Sequence, residues 1–152
     1  MERQRKQLLR REPLGGDMDL TTAVKTVFRR YAEFGGRSCR AEFWYFELAL
    51  VLFELAYFML EGISRVIGFT PLSLLLGLVM FVFALGIIVP CIAVTFRRLH
   101  DVDKSAWWLL LSIVPFGGFV LLYWYCQPGI RRSNRFGPDP LGPSASVAEQ
   151  FS

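Results

Sequence analysis

The chain has 152 residues, a formal net charge of +4 and a hydrophobic content of 53%, above the roughly 45–50% of ordinary globular chains. The apolar residues are concentrated between positions 43 and 126, and ten of the seventeen Lys and Arg residues precede Phe43. This distribution excludes an ordinary soluble domain, and beside such apolar runs a basic arm favours anionic lipid over nucleic acid.

The N-terminal region combines a charged extension with an amphipathic helix. Residues 1–17 are predicted to be a disordered extension before an alternative start at Met18. Asp19 is a candidate helix cap, and the apolar residues after it fall on one helical face: Leu20, Val24, Val27, Phe28 and Tyr31. We predict a helix lying in the membrane interface; a helix packed on the rest of the protein is an equal alternative.

Three apolar segments follow, at about 43–63, 71–96 and 106–126. At 1.5 Å per residue, the first spans about 30 Å, the thickness of the hydrocarbon core. The second contains Pro90, which is predicted to kink the helix and free the carbonyl of Gly86. Both segments are predicted to cross the membrane.

The third segment has aromatic clusters at residues 107–108 and 123–125. On a continuous helix these clusters would lie about 24 Å apart, which favours a full crossing with one cluster at each interface. Pro115, Gly117 and Gly118 leave a kinked helix or a re-entrant hairpin open as alternatives.

The predicted fold class is an all-α integral membrane helical bundle, with three hydrophobic segments and an N-terminal amphipathic interfacial helix. Residues 18–140 are predicted to form one multi-pass membrane domain, and residues 141–152 a disordered tail.

The orientation follows from the basic residues. The N-terminal arm and the charged cassette of residues 97–105 are rich in Lys and Arg, so both are predicted to be cytoplasmic. Three crossings would place the tail outside, which its Arg131, Arg132 and Arg135 argue against. The side of the tail therefore stays open.

The cassette contains the single histidine, His100, beside Asp101. Structural and catalytic metal sites usually have three or four protein ligands, which argues against a metal site here. We favour a hinge in which Arg97 and Arg98 reach headgroup phosphates and Asp103 or Ser105 caps the next helix. The candidate lipid- or partner-binding residues are Arg37, Arg40, Arg97, Arg98, His100 and Asp101.

The first apolar segment carries Glu47, Glu54 and Glu61. A spacing of seven places them on one helical face, and a charged acid at the bilayer centre costs about 2.5–3.5 kcal/mol. They could form a proton or cation path or a site for a cationic ligand. The interpretation we favour is that they pair with Arg97, Arg98 or a partner chain.

The sequence contains no recognised catalytic motif. There is no nucleophile elbow, zinc-protease motif or phosphate-binding loop, and Cys39, Cys91 and Cys126 match no disulfide or zinc pattern. We therefore predict a protein that is not an enzyme and has no cofactor, no metal and no nucleic-acid partner.

Three sequence blocks, 36–44, 96–108 and 134–140, occur in order with apolar runs between them. Together they resemble the YhaH/YhaI-like bacterial inner-membrane proteins, a family catalogued as domain of unknown function 805. The resemblance implies a small multi-pass protein of the cytoplasmic membrane, without established activity, that starts near Met18. Cys39 stands where the family more often has Ser or Arg, and the three acids are not a hallmark of the family.

Two functions are consistent with these features. The first is a non-enzymatic membrane protein that binds lipid, including anionic headgroups, or a partner membrane protein. The second is a small transporter or channel component that uses the intramembrane acids. Three helices enclose little volume, so transport would require a homo-oligomer.

Overall fold

The computed structural model describes residues 18–142; residues 1–17 and 143–152 lie outside this description, as do the predicted extension and most of the predicted tail. Within the described residues the fold is helical, which confirms the all-α class. Its elements are α1 (Leu20–Arg29), α2 (Arg40–Ile67), α3 (Thr70–Asp101), a 3₁₀ helix (Ala106–Ile113) and α4 (Gly117–Cys126).

Helix α1 is amphipathic and packs on the bundle. The predicted cap is confirmed, because the Asp19 side chain accepts a hydrogen bond from the amide of Thr22 at 2.8 Å. Ala23 and Val27 are completely buried. Val27 joins residues of α2 and α3 in the hydrophobic core, which consists of Val27, Phe43, Phe46 and Val94.

Helices α2 and α3 are long enough and apolar enough to cross a membrane. With 28 and 32 residues, they extend over about 42 Å and about 48 Å, beyond both ends of the predicted segments. Gly68, in the left-handed conformation at φ 72°, ends α2 and reverses the chain. Phe53 and Phe83 pack between the two helices with ring centroids 4.3 Å and ring planes 35° apart. In the most apolar stretch of each helix, 11% of the residues of α2 and none of those of α3 are buried.

Pro90 lies inside α3, as predicted. A proline has no amide hydrogen, so the carbonyl of Gly86, four residues earlier, loses its partner within the helix. In the structure the hydroxyl of Tyr31, which follows α1, donates to this carbonyl. The helix break is therefore satisfied by a side chain from the N-terminal helix region.

The third apolar segment does not form the continuous crossing that we favoured. Trp108 and Trp124, from the aromatic clusters predicted at opposite interfaces, contact each other with ring centroids 5.4 Å apart. The chain reverses between them, where Val114 is extended at ψ 135° and Phe116 is left-handed at φ 66°. Pro115 disfavours a helical conformation in the residue before it, so the segment forms a helical hairpin, the alternative left open above.

Two small structural features hold this hairpin. The Ser105 side chain caps the 3₁₀ helix by accepting a bond from the Trp107 amide at 3.5 Å, which is one of the two predicted caps. Gly117 allows close approach of the two arms, since a Cβ there would lie 1.9 Å from the carbonyl oxygen of Leu111.

The hairpin returns the tail to the end of α3. The Ile130 amide donates to the carbonyl of Asp101 at 3.0 Å, and the Asn134 side-chain amide donates to the carbonyl of His100 at 2.8 Å. The Ser38 amide, just before α2, donates to the carbonyl of Arg97 at 3.0 Å. The start of α2, the end of α3 and the tail therefore meet at one end of the molecule, which we call the charged end.

Candidate functional site

The charged end contains five ionisable side chains that are almost completely buried. None is more than 5% exposed, and Arg97 and Arg98 are 0% exposed. Buried charges are tolerated only when they are paired and hydrogen-bonded. We call this group the arginine cluster: Arg37, Glu42, Arg97, Arg98 and Asp101.

Asp101 is the centre of the cluster. Its carboxylate receives Nη2 of Arg37 at 2.8 Å and Nη1 of Arg98 at 2.6 Å, and Nε of Arg37 also donates to it at 2.9 Å. Charge-assisted bonds of this kind are the strong ones, and the forked guanidinium fixes their geometry. Asp101 thus joins the loop before α2 to the end of α3.

Arg98 also binds the C-terminal end of α4. Its remaining donors reach the carbonyl of Tyr125, at 3.1 and 3.2 Å, and the carbonyl of Gln127. Arg40 donates to the carbonyl of Cys126 at 3.4 Å. The last carbonyls of a helix have no partner within it and carry partial negative charge, so these two arginines satisfy the end of the hairpin.

Arg97 connects α3 to the end of α1. It pairs with Glu42 at 3.2 Å and donates to the carbonyls of Arg30 at 3.1 Å and Glu33 at 2.7 Å. At the surface, Arg30 makes two bonds to Glu33, at 2.8 and 2.9 Å, and these bonds lower the pKa of the Glu33 carboxyl. Every helix except the 3₁₀ helix therefore has a bond to the cluster or to Arg40 beside it.

His100 has a structural environment. Its Nδ1 lies 3.1 Å from the carbonyl oxygen of Gly36, and a carbonyl can only accept, so Nδ1 carries the hydrogen. The ring stacks on Phe136 with centroids 3.9 Å apart and planes 6° apart. No group of three His, Cys, Asp or Glu residues capable of holding a metal occurs in the described part of the chain.

The cysteines within residues 18–142 are free. Cys39 precedes α2 and is buried, which raises the pKa of its thiol. Cys126 is exposed. Thiol reagents attack the thiolate, so Cys126 is the more reactive of the two.

The acids on α2 have different environments. Glu61 is buried and pairs with Arg65, one turn later, at 2.9 Å. Glu47 is half-buried and Glu54 is exposed. Among the described residues, neither Glu47 nor Glu54 has a hydrogen bond or an ion pair.

A groove of about 1000 Å³ opens between the N-terminal half of α2 and the hairpin, with Thr95 of α3 on its wall. Most of its lining is apolar. The polar side chains on it are Glu47, Thr95, Ser112 and Tyr125, and Thr95 already donates to the carbonyl of Cys91 at 2.7 Å. Among the described residues that line the groove, Glu47 is the one that carries a charge.

Comparison with known sequences identifies the family of this chain. Residues 31–138 match the family described as "Protein of unknown function (DUF805)". The chain belongs to this family. It is 40% identical over 118 residues to the inner membrane protein YhaH of Escherichia coli K12, covering 75% of this chain and 92% of YhaH. It is 36% identical over 122 residues to the inner membrane protein YhaI of the same strain, covering 76% of this chain and 92% of YhaI. No solved structure matches it.

Family membership and the two long apolar helices make this DUF805 chain a membrane protein. The blocks that carry the resemblance meet in space. Block 36–44 supplies Arg37 and Glu42, and block 96–108 supplies the other members of the arginine cluster. In block 134–140, Phe136 stacks on His100. The residues that carry the family resemblance are therefore those that contact one another at the charged end.

The structure brings together most of the residues predicted to bind lipid or a partner, but it places them inside the protein. Arg97 and Arg98 are fully buried and bonded internally, so the geometry does not support their predicted contact with headgroup phosphates. Arg40 alone among the six is exposed: Arg37, Arg97, Arg98, His100 and Asp101 are buried.

The predicted pairing of Glu47, Glu54 and Glu61 with Arg97 or Arg98 is wrong, and their pairing with a partner chain stays a prediction. Arg97 instead forms an ion pair with Glu42, near the start of α2, and Arg98 forms one with Asp101. Sequence reasoning missed Glu42 as a partner because no spacing rule links residues 55 positions apart. It also missed the backbone carbonyls that accept from the arginines, since no side-chain signal marks a carbonyl.

Proposed function

We propose that this DUF805 protein is a non-enzymatic inner-membrane protein that binds a lipid-like amphiphile in the groove between α2 and the hairpin. The observation that carries the proposal is the groove itself, about 1000 Å³ in volume and mainly apolar. Ligand sites in proteins are typically concavities of about 300–1000 Å³ with a few polar groups on an apolar lining.

The state of the charged end supports this choice of site. The arginine cluster is buried and its charges are paired within the protein, so a headgroup could reach it only by displacing a partner. Removing one partner of a buried pair leaves an uncompensated charge, which is strongly unfavourable. The groove needs no such rearrangement, because it is already open.

We propose two crossings, by α2 and α3, with the charged end, the N-terminus and the tail in the cytoplasm. Within residues 18–142, eleven of the twelve Lys and Arg residues lie before residue 41 or after residue 96. The exception is Arg65, near the turn between the two helices. Basic residues near the ends of crossings favour the cytoplasmic side, and the hairpin removes the conflict over the basic tail.

Cysteine labelling in intact cells tests this orientation. In a Cys126→Ser background, a membrane-impermeant maleimide should label Phe69→Cys in the α2–α3 turn but not Ser133→Cys in the tail. Both positions are exposed in the structure. Of the two cysteines that remain, Cys39 is buried, which raises the pKa of its thiol, and Cys91 is half-buried within α3, and both features limit background labelling. Labelling of Ser133→Cys without permeabilisation would contradict the orientation.

Photo-cross-linking tests binding in the groove. The protein in phosphatidylcholine nanodiscs is exposed to dodecanol carrying a mid-chain diazirine, and the labelled peptides are identified by mass spectrometry. We expect label in the N-terminal half of α2 and in the hairpin. Val51→Trp should reduce this label, because Val51 lines the groove.

Val66→Trp is the matched control. Val66 lies on the same helix and is 89% exposed, away from the groove. It should leave groove labelling unchanged. Label spread evenly along α2 and α3 in the unmodified protein, with no effect of Val51→Trp, would overturn the proposed function.

A second function, a small oligomeric transporter that uses the acids of α2, is favoured by one observation. Glu47 and Glu54 are both unpaired within the described residues, and unpaired acids in membrane segments mark ion pathways by default. Two crossings enclose no path, so transport requires several copies. A proton leak in liposomes that Glu54→Gln abolishes would establish this alternative.

A further inference from the structure

The groove contains an acid that is unpaired within the described residues. Glu47 is half-buried on its wall and has no hydrogen bond or ion pair within residues 18–142. A carboxylate in an apolar environment is costly unless a cation or a proton neutralises it. The two other charged residues of this region of α2, Arg40 and Glu42, already have partners in the charged end.

Aromatic rings also line the groove. Phe43, Trp44 and Tyr125 all line it. Phe43 lies 4.9 Å from Tyr125 and 5.3 Å from Trp44, measured between ring centroids. Aromatic faces attract cations, and clusters of such faces recognise quaternary ammonium groups. Phe43 is buried, so the rings that a ligand can contact are those of Trp44 and Tyr125. A carboxylate on the same groove as two accessible aromatic rings is therefore chemically complementary to an organic ammonium rather than to an anion.

The depth of Glu47 restricts how that ammonium is attached to its chain. Glu47 follows Arg40, at the start of α2, by seven residues, or about 10 Å along the helix. A phospholipid carries its amine beyond its phosphate, so its ammonium could reach Glu47 only with the phosphate drawn toward the same carboxylate. An ammonium attached directly to an alkyl chain has no such conflict.

We infer that the groove selects single-chain amphiphiles with an ammonium headgroup, which contacts Glu47 and the aromatic rings while the alkyl chain lies along the hairpin. This inference rests on the proposed function, since it names the class of ligand for the same groove. The apolar lining holds the chain and the carboxylate selects the headgroup.

Competition against the diazirine-labelled dodecanol tests this selectivity. Dodecyltrimethylammonium and unlabelled dodecanol are titrated as competitors in phosphatidylcholine nanodiscs, with groove labelling as the readout. We expect dodecyltrimethylammonium to halve the labelling at a concentration about tenfold lower than dodecanol. In Glu47→Gln this advantage should fall to about twofold or less. Comparing the two proteins cancels the different partition of the competitors into the bilayer.

Glu61→Gln is the matched control, because Glu61 is an acid on the same helix that already pairs with Arg65 outside the groove. It should keep the full advantage of the ammonium competitor. Labelling of Glu47→Gln by the neutral probe reports whether its groove has formed. If that variant does not label, Glu47→Asp replaces it and should retain a preference for the ammonium competitor.

The outcomes separate the two proposals. If the neutral probe never enters the groove of the unmodified protein, the proposed function fails. If it enters but the advantage of the ammonium is equal in the unmodified protein and Glu47→Gln, only the ligand class is overturned. If discs containing phosphatidylethanolamine suppress labelling in a Glu47-dependent way, the occupant is a bilayer lipid, and the inference of a single-chain ligand is likewise overturned.

Discussion

The charged end and the turn between α2 and α3 differ in which side chains are buried and which are exposed. At the charged end, side chains as polar as Arg97 and Arg98 are 0% exposed, and directed bonds connect four segments of the chain. Toward the turn, Met59, Ile67 and Val66 are 70–89% exposed, with Val66 the highest. Large apolar side chains are thus exposed near the turn while the arginine cluster is buried at the charged end, the reverse of the usual pattern in a soluble protein.

This difference follows from the solvent. Lipid chains are as apolar as leucine, so burying a leucine between helices within a bilayer gains little. Charged groups that leave water must find partners in the protein, and each partner has a defined direction. We therefore expect the charged end to determine the tertiary structure, while α2 and α3 beyond it need only be long and apolar.

Replacing Asp101 should cause the largest loss of stability. Asp101→Asn removes the carboxylate shared by Arg37 and Arg98 and leaves two buried cations without it. Loss of one partner of a buried pair typically costs about 3–5 kcal/mol. Denaturant unfolding in detergent, followed by circular dichroism, should show a decrease in unfolding free energy of that order.

Asp103→Asn is the matched control. Asp103 belongs to the same cassette but pairs with Arg135 at the surface, at 3.3 Å, with 46% of the Asp103 side chain and 62% of the Arg135 side chain exposed. Exposed pairs contribute about 0–1 kcal/mol. Equal losses for the two variants would show that burial of the arginine cluster does not govern stability.

Docking of the tail provides the second test. A Cβ at Gly129 would lie 2.0 Å from Oδ2 of Asp101, and two arginines prevent that carboxylate from moving. Gly129→Ala should therefore destabilise the protein by about 1–3 kcal/mol through overpacking. Gly62→Ala on α2, where nothing lies within 4 Å of the new methyl group, should not. An unchanged midpoint for Gly129→Ala would mean that the tail is not held against α3.

The stacking of Phe136 on His100 should have a smaller effect. Phe136→Leu keeps an apolar side chain but removes the ring pair, which is worth about 0.5–1.5 kcal/mol. The control is Phe81→Leu, because Phe81 is 62% exposed on α3. Nuclear magnetic resonance of the His100 ring protons gives an independent measurement, as the stacked phenyl ring shifts them upfield. No change in shift for Phe136→Leu would contradict the stack.

The sequence predicted the elements whose signal is local. Hydrophobic length located α2 and α3, the short polar side chain of Asp19 marked the start of α1, and Pro90 identified the unpaired carbonyl of Gly86. Each of these depends on residues within one or two helical turns. The partner of that carbonyl, Tyr31, was not predictable because the two residues are 55 positions apart.

The hairpin and the arginine cluster depend on contacts between distant residues, which local sequence patterns do not predict. Trp108 and Trp124 favour opposite interfaces if the segment is continuous, and the extended conformation at Val114 decides that it is not. The candidate residues of the cassette were found because charge between apolar runs is conspicuous. Whether Arg98 faces lipid or the end of α4 depends on the return of the hairpin, which no pattern in the sequence fixes.

Substitutions on the exposed apolar surface of α3 should change the unfolding free energy least. They also test most sharply whether this surface differs from the buried charged end. Val82 is 61% exposed, so in the proposed two-crossing topology its side chain would contact lipid both in the folded protein and in separated helices. Val82→Ala should change the unfolding free energy by no more than about 0.5 kcal/mol. Val94→Ala removes the same atoms from the buried core and should cost more, because it leaves a cavity. If Val82→Ala is as costly as Val94→Ala, this surface is covered by protein, and cross-linking at position 82 would then join two copies of the chain.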